Sequence, residues 1–521
     1  MSDKTKTLDD VLDTGKFNER IVGAYNDGTA EIELPADVES ARSLVPAGTG
    51  ALRDFSYIAP EIPLFHAQNC VGCMECVIQC PDTAILGKAL PASVVEAEIA
   101  KMPEIEREDL RRQWAVTTKY HTTYQKKGQE PALFGIFIDP TKCKGCAECV
   151  DACGEHDALS MLKKAGDVLP TWQKRFNFYK KTPETPPQYI NERLLTDMML
   201  ASRSLLYVGG AGSCMGCGEA TALRMMLAAT GFVYGKENIG IVNATGCSTV
   251  YASTYPFNPY LVPWTNSLFE NAPADAMGVR ARWNQMGWQK KRLWVIGGDG
   301  AMLDIGFQSL SRMLASGMDI KALVLDTQVY SNTGGQASTS TFMGQNTKMS
   351  AHGKALKGKV ERRKELAQIC MMHPDTFVAA TTCAHENHFF KAIMAANEYD
   401  GPAVVSVYST CQPEHGVADN MAMHQAKLAV DTRAFPILIY DPRKGQKIKE
   451  RLSLQGNPAM NQDWFKNPKT GEEVTFLDFA RSEGRFSKHF DKAGNPTEEI
   501  LKAKEERLAN WRVLQELAGL I

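Results

Sequence analysis

From about residue 200 the chain alternates short apolar runs with longer stretches whose apolar residues recur at helical spacing. The runs at 239–242, 293–296, 322–325, 377–381 and 403–407 predict strands, and the stretches at 305–315 and 388–396 predict helices between them. Such alternation predicts an α/β fold built on a doubly wound, mainly parallel sheet. Segment 495–520 opens with Asn495 as N-cap, Pro496 at N1 and Glu498 at N3, a helix-start signature. Ile500, Leu501, Leu508, Trp511 and Leu514 give it an apolar stripe suited to packing on this chain or on a partner subunit. Before residue 200 the pattern is weaker. Residues 1–60 are polar, with turn residues in Asn26-Asp27-Gly28 and Pro46-Ala47-Gly48, and predict an irregular N-terminal arm. A charged helix is expected at 104–114, and Lys180, Lys181, Pro183, Pro186 and Pro187 mark a linker at 166–200. The expected domains are 61–165 and 201–455, followed by an extension and helix at 456–521.

Composition narrows the class only a little. A chain of 521 residues has room for several domains. A formal charge of −2 gives no case for a nucleic-acid partner. The first residues, MSDKTKTLDD, lack the apolar core of a signal peptide, and no apolar run reaches about 18 residues, so no membrane span is expected.

The cysteines change the picture. Cys70, Cys73, Cys76 and Cys80 are spaced C-x2-C-x2-C-x3-C and followed by Pro81, and Cys143, Cys146, Cys149 and Cys153 repeat the spacing before Gly154. This is the ligand run of a two-cluster bacterial ferredoxin, in which the fourth thiolate of each run crosses to the other [4Fe–4S] cluster. The expected ligand sets are Cys70, Cys73, Cys76 and Cys153, and Cys143, Cys146, Cys149 and Cys80. Structural zinc usually pairs two shorter hooks, and disulfides suit small secreted chains. Residues 61–165 are therefore expected to form an α+β ferredoxin-like domain, lengthened between the runs, and the thiolates point to the reducing cytoplasm.

A second chemistry follows the expected strands. Gly297-Gly298-Asp299-Gly300 lies directly after 293–296, and Asp326-Thr327-Gln328-Val329-Tyr330-Ser331-Asn332-Thr333-Gly334-Gly335 ends the next strand. An acidic glycine loop followed by an Asn-containing loop resembles the thiamine diphosphate signature. Mg2+ takes hard oxygen ligands and shares its shell with phosphate oxygens. Asp299 offers a carboxylate, Thr327 a hydroxyl and Val329 a carbonyl, while glycines let the backbone approach a diphosphate. Cys214 and Cys217, Cys247 and Cys411 form a third group. Cys247 and Cys411 follow strands, as Asp299 and Thr327 do, so all should meet at the carboxyl edge of the sheet. Four thiolates beside a diphosphate point to a third [4Fe–4S] cluster; Cys370 and Cys383, without partners at ligand spacing, are read as buried structural thiols.

Gly-x-Cys-x-Gly-Cys-Gly-Glu (212–219), Asn-Ala-Thr-Gly-Cys-Ser (243–248), Asn-Ser-Leu-Phe-Glu (266–270), Gly-Asp-Gly (298–300) and Tyr-Ser-Asn-Thr-Gly-Gly-Gln-Ala-Ser (330–338) occur in the order of pyruvate:ferredoxin oxidoreductases. From about residue 45 onward the chain resembles the C-terminal half of the large single-chain form. The resemblance implies that Cys214, Cys217, Cys247 and Cys411 hold the cluster nearest the cofactor. It implies that Glu219, Cys247, Gly298, Asp299, Gly300, Ala301, Thr327, Gln328, Val329, Tyr330, Ser331 and Asn332 contact thiamine diphosphate, with Mg2+ on Asp299, Thr327 and Val329 and Asn332 facing the reacting carbon. In such enzymes the thiazolium attacks the 2-oxo carbon, CO2 leaves, single electrons pass along the clusters to an external ferredoxin or flavodoxin, and coenzyme A takes the acyl group. Two departures stand out: Gly154 replaces the usual proline, and the basic stretch 348–364 differs from the family pattern, reading either as a dock for an acidic carrier or as a solvated helix.

The family also uses a second domain, whose Glu activates the aminopyrimidine, and a coenzyme A domain; neither is found in this sequence. The expectation is one subunit of a hetero-oligomer, a dimer of heterodimers, whose partner carries the pyrimidine-binding and coenzyme A domains. Pyruvate is the expected substrate. Specificity rests with the partner, which leaves 2-oxoglutarate or another 2-oxo acid as the alternative, and reaction direction is unreadable. Two other classes fit the sequence less well. An electron-transfer subunit with a vestigial diphosphate domain conflicts with the intact Asp299, Thr327 and Asn332, and a non-redox thiamine enzyme leaves the clusters without a purpose.

Overall fold

A computed structural model describes residues 13–34, 44–210, 212–252 and 254–521; the first residues and the 35–43 part of the expected arm lie outside the described residues. The chain is mixed α/β. Among the described residues five strands precede residue 165: β1 (Glu61–Phe65), β2 (Ile85–Pro91), β3 (Trp114–Ala115), β4 (Ala132–Ile138) and β5 (Leu159–Lys163). β1 pairs antiparallel with β5 next to the two cysteine runs, and β2, β4 and β3 form a second small sheet from the lengthened segment between the runs. The charged helix expected at 104–114 is Glu104–Arg111. It stops short because Trp114 turns into β3, pairing with Gly135 and burying its ring against Phe137.

The large sheet comprises β6 (Ile239–Ala244), β7 (Trp264–Ser267), β8 (Arg292–Gly298), β9 (Lys321–Asp326), β10 (Phe377–Thr382), β11 (Ala403–Tyr408), β12 (Leu438–Tyr440) and β13 (Leu452–Ser453), in the order β13-β12-β10-β11-β9-β8-β6-β7. The run from β10 to β7 is parallel; β12 and β13 add an antiparallel edge. Each of the five sequence-predicted strands is present, one to three residues longer than its apolar run. β9, β10 and β11 are buried along their whole length, as befits strands covered on both faces. On one face Trp294, Ile296, Leu323, Leu325 and Val405 pack among residues of the helices Gly218–Tyr234 and Glu386–Glu398. On the other, Val295, Ala322, Val324 and Val404 meet the helix Phe307–Ala315 and the C-terminal segment.

The segment expected to be a linker contains the helix Val168–Lys181, whose Phe176 and Phe178 pack with Leu86, Leu90 and Phe137. The arm is partly helical, and Phe17, Ile21 and Val22 bury against Phe257. The final helix is Glu498–Leu517, capped by Thr497 rather than Asn495. The Thr497 N–H donates to the His489 carbonyl at 2.8 Å and its hydroxyl accepts from Ile500 N, so Pro496 stays outside the first turn. Ile500, Leu508, Trp511 and Leu514 are buried in this chain's own core, whereas Leu501 is exposed.

Candidate functional site at the carboxyl edge of the sheet

The chain moves from β6 outward to β7 and returns on the other side of β6 as β8, so the crevice between β6 and β8 is a topological switch point, where open α/β sheets bind ligands. A cavity there is lined by Glu219, Thr245 to Ser248, Phe269, Gly298 to Ala301, Thr327 and Val329 to Thr333. Gly300 is required by close approach: a Cβ would lie 2.3 Å from the Tyr330 ring, whose hydroxyl donates to Asp304 at 3.0 Å. Asp299 Oδ1 accepts from the Thr327 N–H and hydroxyl, both at 3.2 Å, and Oδ2 accepts from the Ser338 hydroxyl. The Thr327 hydroxyl also lies 3.1 Å from the Val329 carbonyl. Three hard oxygens thus converge, and Asp299 itself is buried. Burial first, then neighbouring Asp326, pushes its carboxyl well above the usual range. Asp326 is balanced by Arg363 at 2.5 Å, whereas among the described residues no cation pairs with Asp299. A buried carboxylate lacking a cation, beside a hydroxyl and a carbonyl oxygen, fits a divalent ion.

Gln328 alone of the expected loop residues does not line the cavity. Its φ is +58°, and its amide is held by Asp326 on one side and by Arg485, at 3.1 Å, on the other. Asn332 and Thr333 stand exposed at the rim. Thr245, Gly246, Ser248 and Phe269 were not singled out from sequence, although they sit inside the motifs 243–248 and 266–270; Ser338 likewise closes the motif 330–338.

Behind one wall of this cavity the third cysteine group comes together. Cys217 caps the helix Gly218–Tyr234, Cys247 opens the helix Cys247–Ala252, and Cys411 follows β11. Gly218 presses against the strand extension: its N–H donates to the Thr410 carbonyl at 3.1 Å, and a Cβ would lie 2.6 Å from Thr410 N. Gly216 is held likewise by Asp419 and Gln412. The Cys247 thiol is raised by burial and then by Glu219, Cys217, Cys411 and Cys214, and burial pushes Cys411 up to about 12. The Ser331 hydroxyl works against that rise of Cys411, which puts the glycine loop beside this quartet. Glu219 lies between the two: burial pushes its carboxyl up to about 8, and its Oε2 has no hydrogen-bond partner. Cys370 and Cys383 are buried, and the Cys383 thiol donates to the Gly218 carbonyl at 3.9 Å, one residue from Cys217.

The two N-terminal runs repeat one another turn by turn. Gly72 and Gly145, and Met74 and Ala147, have φ of 76°, 72°, 73° and 65°. One cavity is lined by Cys70, Cys73, Cys76 and Cys153, another by Cys143, Cys146, Cys149 and Cys80. Ala84 N donates to Cys80 Sγ and Ala158 N to Cys153 Sγ, each at 3.3 Å. Burial raises Cys70 to about 11 and Cys143 to about 12, so these thiols ionise only with a compensating cation such as iron. Among the described residues no three His, Cys, Asp or Glu close on a single ion; the cysteines ring a space instead. Gly154 has φ 55° and ψ −133°, a conformation closed to proline, so its loop differs from one with proline there. From the lengthened segment Tyr120 packs over Gly72, and Lys119 bonds the Gly72 carbonyl at 3.2 Å and pairs with Asp197.

The second quartet abuts the third. Lys144 Nζ bonds Asp82 at 2.8 Å and the Ser213 hydroxyl at 2.7 Å, and that hydroxyl donates to Asp82 at 2.9 Å; all three are buried, Lys144 next to Cys143 and Ser213 next to Cys214. Glu148 accepts from the N–H groups of Ala422 and Met423. The stretch 348–364 forms no helix. Its Lys359 turns inward, donating to the carbonyls of Ser338, Thr339 and Thr341, and Arg363 joins Asp326.

Residues 244–407 match the family model described as thiamine pyrophosphate enzyme, C-terminal TPP binding domain. The chain is 28% identical to the pyruvate-flavodoxin oxidoreductase of Rhodospirillum rubrum, over 89% of this chain and 42% of that protein. It is 27% identical to the pyruvate:ferredoxin oxidoreductase of Moorella thermoacetica, over 93% and 44%. The chain thus spans less than half the length of these relatives. A 2-oxoglutarate:ferredoxin oxidoreductase structure from Magnetococcus marinus overlaps at 20% identity over 39% of this chain and 65% of that one, with a TM-score of 0.33, too slight to argue from. Among the described residues no helix is long and apolar enough to cross a membrane.

Proposed function

We propose, from the homology of this chain to pyruvate-flavodoxin and pyruvate:ferredoxin oxidoreductases over most of its length, that it is the thiamine diphosphate and iron–sulfur part of a 2-oxoacid oxidoreductase. The reaction is oxidation of a 2-oxo acid, first of all pyruvate, with coenzyme A to an acyl-coenzyme A and CO2, or the reverse. Ferredoxin or flavodoxin exchanges the electrons. The observation that supports this most is that the thiamine-type loops, with Asp299 and Thr327, share one cavity with Cys247 of the third quartet. Bound thiamine diphosphate supplies the carbanion chemistry, and iron–sulfur clusters supply one-electron storage.

The chain's own residues do the rest. Asp299, the Thr327 hydroxyl and the Val329 carbonyl would hold Mg2+, and the backbone of Gly298 to Ala301 would take the diphosphate. Asn332 would orient the substrate at the rim, and Ser331 sets that loop beside Cys411. The Cys214, Cys217, Cys247 and Cys411 quartet is the inner station. Cys80, Cys143, Cys146 and Cys149 are the middle one, through the Lys144–Asp82–Ser213 contact, and Cys70, Cys73, Cys76 and Cys153 are the outer one. Partner domains or a partner subunit complete the pyrimidine and coenzyme A sites, as a dimer of heterodimers in the cytoplasm.

Anaerobic purification should give about twelve irons, three [4Fe–4S] clusters' worth, and one thiamine diphosphate per chain. Addition of the partner should be needed for turnover of a 2-oxo acid. About eight irons without thiamine would instead mark a pure electron carrier, and turnover by this chain alone would remove the partner from the proposal.

A further inference from the structure

On the backbone that runs from Cys76 of one N-terminal quartet to Cys80 of the other rests a cation contributed by the other half of the molecule. Arg224 sits on the second turn of the helix Gly218–Tyr234 and is 2% exposed. Its Nη1 donates to the Ile78 carbonyl at 3.1 Å, Nη2 to the Val77 carbonyl, and Nε to the Thr83 hydroxyl at 3.0 Å. These acceptors are neutral and bracket Cys80. The nearest acid, Asp82, is engaged by Lys144 at 2.8 Å, and among the described residues no carboxylate stands within ion-pair distance of Arg224. Burial disfavours the charge on Arg224, and Cys80 is the first of the groups that favour it, ahead of Asp82 and Tyr207.

A guanidinium keeps its charge at any pH a protein meets, and burying one without an anion is expensive. Three dipolar acceptors fix its direction without cancelling its charge. The middle quartet, once loaded, is an anion, and it becomes more negative when an electron arrives. Cys80 enters that quartet from the run whose other cysteines belong to the outer one, so a charge fixed beside Cys80 acts mainly on the middle station.

We propose that Arg224 is the counter-charge of the middle cysteine quartet and raises the reduction potential of the cluster held there. This rests on the reading of the quartets as [4Fe–4S] sites. The electron comes from 2-oxo acid oxidation and leaves through the outer quartet; Arg224 makes and breaks no bond and moves no proton, so it is a positioning and tuning residue. Few close charges are buried more completely, and in a low-dielectric interior such a charge outweighs many on the surface.

The test is potentiometric titration of the anaerobically purified holoenzyme, followed by electron paramagnetic resonance, for wild type, Arg224→Met and Arg224→Lys. In Arg224→Met one midpoint should fall by at least about tenfold in the reduced-to-oxidised ratio at fixed poise, about 59 mV for one electron. The other two midpoints and the iron content should stay at wild-type values. Arg224→Lys, which keeps the charge, should restore most of the potential. Three unchanged midpoints in Arg224→Met, or three that move together, overturn the proposal. If Arg224→Met loses the middle cluster, Arg224→Lys decides: a wild-type midpoint supports the counter-charge, and a tenfold fall with the charge retained overturns it. A wild-type holoenzyme without iron overturns the reading of the quartets themselves, an outcome read from metal content before any titration.

Discussion

Asp299 is held by one hydroxyl that sequence reasoning did not single out. Ser338→Ala removes the donor to Oδ2 while leaving the Thr327 contacts. A hydrogen bond to a charged group contributes about 2 kcal/mol, so Mg2+-dependent thiamine diphosphate binding should weaken roughly thirtyfold by calorimetry, with little change in stability without ligand. An unchanged affinity would mean that Ser338 does not orient the ion site. Titration gives a second expectation. His385 and His388 are pushed down to about 4 by burial, their Nδ1 atoms held by Thr382 and Thr381. Their folded values lie below the unfolded one, so the stability they confer is complete above about pH 6.5 and is lost as the pH falls toward 4. The melting temperature should drop across that window, and less steeply in His388→Asn; parallel profiles would count against it. The site was largely legible at this scale because chemistry needs particular residue types in particular motifs. Gln328 shows the limit: its motif position was visible, but a left-handed backbone turns its side chain toward Asp326 and Arg485, and nothing local announces that.

Elements were readable where burial imposes a period. The parallel strands appeared as apolar runs because both faces are covered, and their ends located Cys247, Asp299, Thr327 and Cys411 before any contact was seen. Boundaries decided by tertiary partners were not. Trp114 leaves its helical pattern to pair with Gly135, and Thr497 takes the cap from Asn495 because His489 anchors it. The stretch 348–364 carries the charge of a solvated helix, yet Lys359 and Arg363 fold inward onto 338–341 and Asp326. The contact of Gly218 with Thr410 is the element-scale feature most open to test. Gly218→Val must push the start of the helix away from β11, separating Cys217 from Cys411. Iron should fall by about four of about twelve atoms per chain, while the two ferredoxin-like quartets stay loaded. Full iron in a folded variant would show that the quartet tolerates the displacement.

At the scale of the whole molecule, the cysteine spacing announced the quartets but not how the modules meet. The junction is made by single residues without a motif: Gln79 on the Cys383 carbonyl, Glu148 on two N–H groups, and Lys144, Asp82 and Ser213 together. Sequence patterning had no means to pair positions about sixty to three hundred residues apart when their polarity is that of ordinary surface groups. The expected linker also proved to be packed structure, with Phe176 and Phe178 inside a small core.

In the proposed relay the buried Lys144–Asp82–Ser213 contact has a kinetic meaning. A carrier that diffuses meets its donor at a frequency set by its own concentration. Here the donor's neighbour is part of the same chain and fastened by groups hidden from water, so the first two exchanges proceed at one fixed effective concentration, whatever the dilution of the enzyme. Dependence on abundance, and on the salt that screens encounters between charged surfaces, is confined to the last exchange at the outer quartet.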